Sequence, residues 1–429
     1  MSRPSHFLQS VELLTLILSA NSTSSGRSRN ESVPGTSKKM ETYFRAHREM
    51  GVRDRGDVAE TVYACLRHKR LLAHLADSDA ADALVAAHYL REGMSARSLE
   101  DAGFRGDART LASRVRTTDV ASLPFAVRTS LPDWLAERLL AQYGADDALA
   151  LAEALNRPAP VDLRVNAIKA KVAQVQEQLS GDGYACDPTP YSPVGLRLRE
   201  RATVFRSAAF QDGLFEVQDE GSQLVSLLLE PRRGEMVVDF CAGAGGKTLH
   251  LGALMANSGT LYAFDVSASR LERLTPRVRR AGLSNVRAVA ISHERDARVQ
   301  RLYGKIDRVL VDAPCSGTGT LRRNPDIKWR AIDLAALVEM QNRILAAAAP
   351  LLKPGGRLVY ATCSLLSEES EAVVATFLAS HPQFALVPIA SVLARRHVAL
   401  EATTEGVLRL TPHRHGTDGF YVAVIERTG

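Results

Sequence analysis

The chain has 429 residues, 45% hydrophobic and 24% charged, which excludes a collagen-like, coiled-coil or largely disordered protein and leaves room for two or three domains. Its formal charge of +6 favours an anionic partner, because Lys and Arg attract phosphate and release its counterions. No run of eighteen apolar residues argues for a membrane span, and five cysteines without CxxC spacing point away from a bound metal and from a disulfide framework, toward a reduced cytoplasm.

In chain order, Phe7, Leu8, Val11, Leu14 and Leu18 recur at helical spacing, so the short apolar run from Val11 to Ala20, broken by Glu12, reads as an amphipathic helix rather than a signal peptide. Ser19 to Lys39 is rich in Ser, Asn, Gly and Lys and reads as a flexible loop. From Met40 to Gly144 the pattern is helical, with Val58, Val62, Cys65, Leu66, Leu71, Leu72 and Leu75 three or four residues apart. Arg45, Arg48, Arg53, Arg55, Arg67, Lys69 and Arg70 decorate that stretch, as a solvated face or an RNA-facing patch. A Pro-containing break at Asn156 to Pro160 precedes a small α/β unit: strand Val161 to Val165, helix Val172 to Leu179, strands Leu196 to Leu198 and Thr203 to Phe205.

Strands and helices then alternate, with strands at Met236 to Phe240, Leu261 to Asp265, Val286 to Ile291, Arg308 to Val311 and Arg357 to Ala361. That alternation predicts a doubly wound α/β sheet with its ligand site at the strand C-terminal ends. The expected division is a helical domain over 1–144 with its loop at 19–39, an α/β subdomain over 145–210 and a doubly wound domain over 211–429.

The chemistry concentrates at strand ends. Val237-Val238-Asp239-Phe240 runs into Cys241-Ala242-Gly243-Ala244-Gly245-Gly246-Lys247, a glycine-rich turn opening a helix. Glycine lets backbone approach a ligand, and the helix N-terminus offers unpaired amides to an anion. Asp265, at the end of the next strand, is placed to accept ribose hydroxyls, which fits adenosine cofactors in general, a nicotinamide among them. Lys247 lacks the P-loop spacing, which disfavours ATP. Two further strand ends carry Asp312-Ala313-Pro314-Cys315-Ser316-Gly317-Thr318-Gly319 and Tyr360-Ala361-Thr362-Cys363-Ser364. A lone cysteine is most often an inert small hydrophobe, but two at the mouth of one site read as reactive.

These two cysteine motifs, with Arg322-Arg323-Asn324-Pro325-Asp326-Ile327-Lys328-Trp329 between them, closely resemble the RsmB/Sun-type RNA 5-methylcytosine methyltransferases. Gln218-Asp219-Glu220-Gly221-Ser222 is similar to the lead into that family's catalytic domain, and His415-Gly416-Thr417-Asp418-Gly419-Phe420-Tyr421 to its closing motif. Asp162-Leu163-Arg164-Val165-Asn166 is similar to its RNA-contacting subdomain, and Gly51-Val52-Arg53-Asp54-Arg55 with Tyr63 to Arg70 to the NusB-like extension of the RsmB branch.

The resemblance implies a Rossmann-like methyltransferase domain using S-adenosylmethionine, with Cys363 adding to C6 of a cytosine, Asp312 on the base edge and Cys315 assisting release. DNA cytosine methyltransferases instead attack with the cysteine corresponding to Cys315; the Thr-Cys-Ser motif favours Cys363. Cofactor contacts are implied for Cys241, Ala242, Gly243, Ala244, Gly245, Gly246, Lys247, Asp265, Asp312 and, beyond Ser292-His293-Glu294, Asp296, which reads equally as a helix cap. Gly243 and Ala244 depart from the family's Ala-Pro. RNA contacts are implied for Arg164, Asn166, Arg322, Arg323, Lys328 and Trp329; Arg164 with Asn166 reads equally as a strand-end pair, and Trp329 as core. The implied partner is small-subunit ribosomal RNA, met by a cytoplasmic monomer without a metal. Alternatives are a transfer RNA substrate, an inactive RNA-binding assembly factor, and a nicotinamide oxidoreductase, which leaves both cysteine motifs unexplained.

Overall fold

The computed structural model describes residues 6–22, 35–396, 398–401 and 406–428. They form two compact units, one of residues 1–158 with 320–332 and one of residues 159–319 with 333–429.

The first unit is helical. Its principal helices are Phe7–Ser22, Thr36–Ala46, Val52–Arg67, Lys69–Ala76, Ala81–Arg91, Ala96–Asp101, Ala108–Thr117, Asp133–Tyr143 and Ala145–Leu155. Phe7, Leu13, Leu14 and Ile17 bury one face of the first helix against Val58, Val62, Leu66, Val85 and Tyr89, whereas Leu8 lies outside that face at 60% exposure. The loop expected over 19–39 is shorter at both ends, since the first helix continues to Ser22 and the second begins at Thr36; its middle, 23–34, lies outside the described residues. The expected boundary at Gly144 falls between two helices of this unit. Ala148, Leu151 and Leu155 are fully buried, so Ala145–Leu155 stays with the helices and the division comes at Pro158.

Thr320–Ile332 belongs to this unit, not to the sheet domain around it in sequence. Its short 3-10 helix Pro325–Trp329 carries Lys328, whose Nζ donates to Arg67 O at 2.9 Å, Ser130 O at 3.1 Å and Asn156 Oδ1 at 2.6 Å. Burial pulls the Lys328 pKa well down. Three acceptors nevertheless call for three N–H donors, which only the ammonium has, so we assign the charged form.

The second unit holds two sheets. The smaller is antiparallel, in the order β2-β3-β1-β4, from β1 (Asp162–Val165), β2 (Cys186–Pro188), β3 (Gly195–Leu198) and β4 (Phe215–Val217). The helix Val172–Gly181 adds Val175 and Leu179 to a core with Leu163, Leu196 and Phe215. Thr203 to Phe205, expected as a strand, instead contributes to a single 3-10 turn, Val204–Arg206: Val204 is buried but Phe205 is 49% exposed, and Ser207 N closes the turn on Val204 O.

The larger sheet contains β5 (Met236–Asp239), β6 (Thr260–Asp265), β7 (Val286–Ala290), β8 (Ile306–Asp312), β9 (Leu352–Thr362), β10 (Phe384–Leu386), β11 (Leu408–Leu410) and β12 (Phe420–Arg427). Its order is β10-β12-β9-β8-β5-β6-β7, with β11 on β12. The five strands β5 to β9 are parallel; β12 pairs antiparallel with β9, and β10 pairs antiparallel with β12. The apolar runs are continuous because both faces are covered: Val238, Val309, Val311 and Tyr360 enter one core cluster, and Val237, Leu310, Val359 and Ala361 the other. Chain order reverses between β5 and β8, which opens a crevice at their C-terminal ends. No helix among the described residues is long and apolar enough to cross a membrane.

Candidate active site

Four parallel strand ends, those of β5, β6, β8 and β9, bring their polar residues to one rim. After β5 the chain turns through Gly243 at φ +56° and Gly245 at φ +87°, and Gly245 caps the helix Gly246–Leu254. A Cβ on Gly245 would lie 2.1 Å from Leu274 Cδ1, so the turn requires glycine twice over, for its backbone angle and for its packing. Above Gly243 a Cβ would meet nothing within 4 Å, so the turn leaves room for a ligand against its backbone.

Asp265 organises this turn from the next strand. Its Oδ2 accepts from Gly243 N at 2.8 Å and its Oδ1 from Ser267 N at 2.7 Å, and each oxygen keeps a second lone pair for a hydroxyl. Asp239 is buried at the end of β5; its Oδ2 accepts from Thr248 Oγ1 at 2.7 Å, while Oδ1 finds no partner among the described residues. Burial pushes its carboxyl up to about 7.

Lys247, in the first turn of the helix, reaches Asp312 at the end of β8, with Nζ to Oδ2 at 2.6 Å. Its Nζ also lies 5.3 Å from the Phe420 ring centroid. Burial alone would lower its pKa, but the Asp312 carboxylate raises it, so the lysine is an ammonium at neutral pH. Cys315 and Cys363, on the loops after β8 and β9, place their sulfurs 3.3 Å apart. The hydrogen bond with Cys363, with burial behind it, pushes the Cys315 thiol well above its ordinary range. Cys315 is therefore held as a thiol, whose S–H is within reach of the Cys363 sulfur. Cys241 is pushed well up by burial and by the Asp239, Asp312 and Asp265 carboxylates, which makes it a neutral thiol in the wall.

Glu369, not singled out from the sequence, ties the two cysteine loops together. It is fully buried; Oε1 accepts from Ser316 N at 2.8 Å and Gln341 Nε2 at 3.0 Å, and Oε2 from the hydroxyls of Ser316 and Ser364. Each hydroxyl is next to a cysteine. Gly319 N donates to Cys363 O at 2.9 Å and Gly419 N to Gly319 O at 2.8 Å, and a Cβ on Gly319 would lie 2.2 Å from Gly419 O. Asp219 accepts from Asp418 N at 3.1 Å, which fastens the 415–421 motif to the start of the helix Glu220–Leu229.

The remaining expectations divide. Asp296 caps the one-turn helix Ala297–Gln300 and is held by Ser292 N and by Arg298, which together lower its pKa far below the usual carboxylate range. Its capping role is thus present in the structure, with the Arg298 guanidinium on the same carboxylate.

Four of the expected RNA contacts are corrected to internal roles. Arg164 is buried and donates to Gln218 and to Gly246 O, and the Asn166 amide donates to Gly213 O and Ala281 O, both at 3.0 Å. Lys328 is 1% exposed with its three acceptors, and Trp329 packs on the helical core with Nε1 2.6 Å from Leu66 O. In each case the donor is already spent inside the protein. Arg322 is buried as well, and of this group only Arg323 stays half-exposed.

The chain is similar to known methyltransferases. Residues 226–426 match the family described as 16S rRNA methyltransferase RsmB/F, and residues 131–205 match the ferredoxin-like domain described as RsmF/B-like. A probable ribosomal RNA small subunit methyltransferase B from Synechocystis sp. is 33% identical over 312 residues, 72% of this chain and 69% of that protein. The corresponding Bacillus subtilis protein is 34% identical over 307 residues, 71% and 68% of the two chains. Among solved structures, that of PH0851 covers 99% of both chains at 27% identity with a TM-score of 0.78. A methyltransferase homolog from Pyrococcus horikoshii covers 70% of this chain and 97% of its own at 31% identity and a TM-score of 0.60.

Proposed function

Because the chain belongs to the RsmB/F family of 16S rRNA methyltransferases, we propose that it transfers a methyl group from S-adenosylmethionine to C5 of a cytosine in small-subunit ribosomal RNA, with Cys363 as nucleophile. The observation that carries this reading is the pair of sulfurs 3.3 Å apart at adjoining strand ends, one of them held as a thiol, beside the Lys247–Asp312 ion pair.

The donor fits the residues present. Asp239 Oδ1 is a buried carboxylate oxygen in want of a partner, the turn from Cys241 to Lys247 has open space above Gly243, and Asp265 has free lone pairs. These residues, with Asp296 further along the rim, would hold it. S-adenosylmethionine supplies, when bound, an electrophilic methyl group on a sulfonium.

C5 of cytosine is too weak a nucleophile to take that methyl unaided. Attack of the Cys363 thiolate on C6 forms a C–S bond and pushes the ring electrons toward C5 and N3. Cys315 donates its S–H to the thiolate and holds it in place before attack. Asp312 orients the cytosine edge, and the Lys247 ammonium beside it offsets the negative charge that builds at N3. Once C5 carries the methyl group its proton leaves to a base, the C5=C6 bond re-forms and Cys363 departs as thiolate; Cys315 assists this release. Glu369 acts through the two loops as a positioning residue. The target base must leave its stack to reach the sulfur.

We further propose that the protein acts in the cytoplasm, where its sparse cysteines stay reduced, and as a single chain. Relatives named for the small ribosomal subunit favour that RNA over transfer RNA, and the intact thiol pair argues against an inactive assembly factor. Bisulfite sequencing of total RNA from cells with and without the protein tests the substrate. A single protected cytosine in small-subunit RNA that is lost with the protein is expected, and protection lost only in transfer RNA would overturn the assignment.

A further inference from the structure

The helical unit contains a cavity of about 420 Å³ that the proposed chemistry does not use, lined by His68, Arg91, Arg128, Thr129, Glu153 and Arg157 among others. Three guanidinium groups share it with a single carboxylate, a surplus of two positive charges. Arg128 is committed, with Nη2 3.4 Å from Glu153 Oε1. Among the described residues Arg91 and Arg157 make no ion pair, and both are exposed at the wall.

Two wall residues, Asn156 and His68, bear on the charge of the site. Asn156, also in the wall, accepts from the buried Lys328 ammonium at 2.6 Å. Burial and the cations around His68 hold its pKa down to about 3, so the imidazole is neutral and no further proton is needed to set the charge of the site. Guanidinium forks match the paired oxygens of a phosphate better than any apolar ligand. Because Arg91 and Arg157 stand in solvent, a polyanion can run across the cavity and lodge one of its charges in it.

We propose that this cavity is a phosphodiester site for the substrate RNA, with Arg91 and Arg157 as the two free guanidinium donors and Arg128, tethered by Glu153, as the third. The proposal rests on the rRNA reading above, which supplies the polyanion. It contributes affinity without reading sequence, as backbone contacts do.

The test uses the full-length protein and an unmethylated transcript of small-subunit rRNA, with binding measured across a salt series. The Arg91→Ser/Arg157→Ser variant should bind about fivefold more weakly near physiological salt, and the slope of log affinity against log salt should fall by roughly one, as expected for one lost phosphate contact. Glu153→Gln removes the opposing carboxylate and should bind more tightly than wild type. Thermal melts and S-adenosylmethionine affinity report that each variant is folded. Wild-type affinity and slope in the double variant, or no gain with Glu153→Gln, would overturn the site while leaving the methyltransferase reading intact. Inorganic phosphate binding that the double variant loses, with RNA affinity unaltered, would assign the cavity to a small anion and overturn it too. If the wild-type protein fails to bind the transcript at all, both readings fall.

Discussion

Two motif-rich regions of the chain behave in opposite ways. The strand-end loops around Lys247, Asp312, Cys315 and Cys363 place their reactive atoms at a shared rim, within 3.3 Å for the sulfurs and 2.6 Å for the ion pair. The Arg322–Trp329 segment, which offers two arginines, a lysine and an indole, turns Lys328 and Trp329 inward to backbone carbonyls and side chains of the helical unit. Residue type alone did not separate the two. Position did, because the C-terminal end of a parallel strand forces its next residues into the crevice, whereas a short 3-10 turn leaves direction to whatever it packs on.

The largest expected effect sharpens this contrast on the buried side. Lys328→Met leaves Arg67 O, Ser130 O and Asn156 Oδ1 without their donor, and should cost about 3 to 5 kcal/mol in denaturant unfolding, the range for breaking a buried charged network. Loss of RNA affinity without loss of stability would instead make Lys328 an RNA contact. Next comes Glu369→Gln, which turns one acceptor of a four-donor site into a donor and should cost about 1 to 3 kcal/mol. Its diagnostic is a lower kcat at an unchanged KM for RNA; a change in KM alone would remove its role in placing the cysteines.

A smaller effect probes the cofactor side through pH. The Asp239 carboxyl, pushed up to about 7 by burial, holds a proton that the unfolded chain releases in the ordinary carboxylate range. The stability it contributes is therefore fully present in acid and is lost as pH rises toward 7. A cationic donor favours the ionised carboxylate, so S-adenosylmethionine affinity should climb by up to about tenfold per pH unit below 7 and level off above it. Asp239→Asn should flatten that titration, and an affinity independent of pH in the wild type would contradict the role. The smallest effect is Arg323→Ser, which should change stability by less than about 0.5 kcal/mol. A measurable drop in RNA affinity would then show that its segment still presents one contact.

Legibility from sequence followed the same divide. The strands β5, β6, β8 and β9 were readable to within a few residues, β8 and β9 being longer than expected, because both faces of the sheet are covered and the apolar runs continuous. The site residues at their ends came with them. Thr203 to Phe205 misled because a two-residue apolar pair carries no periodicity, and β12 was foreseen only through the motif that precedes and opens it. Glu369 sits in Ser367-Glu368-Glu369-Ser370, a run that looks solvated; only the distant Ser316, Gln341 and Ser364 make it a buried acceptor. The attachment of Thr320–Ile332 to the helices was equally hidden, since its partners Leu66, Arg67, Ser130 and Asn156 lie far away in sequence.

The proposed division of labour between the two sulfurs can be read on one denaturing gel, by incubating the protein with labelled substrate RNA and S-adenosylmethionine and asking which cysteine variant remains bound. The account predicts that Cys315→Ala accumulates a covalent protein–RNA adduct, whereas Cys363→Ala forms none and transfers no methyl group. Adducts trapped by Cys363→Ala, or methylation that survives it, would contradict the assignment of the nucleophile.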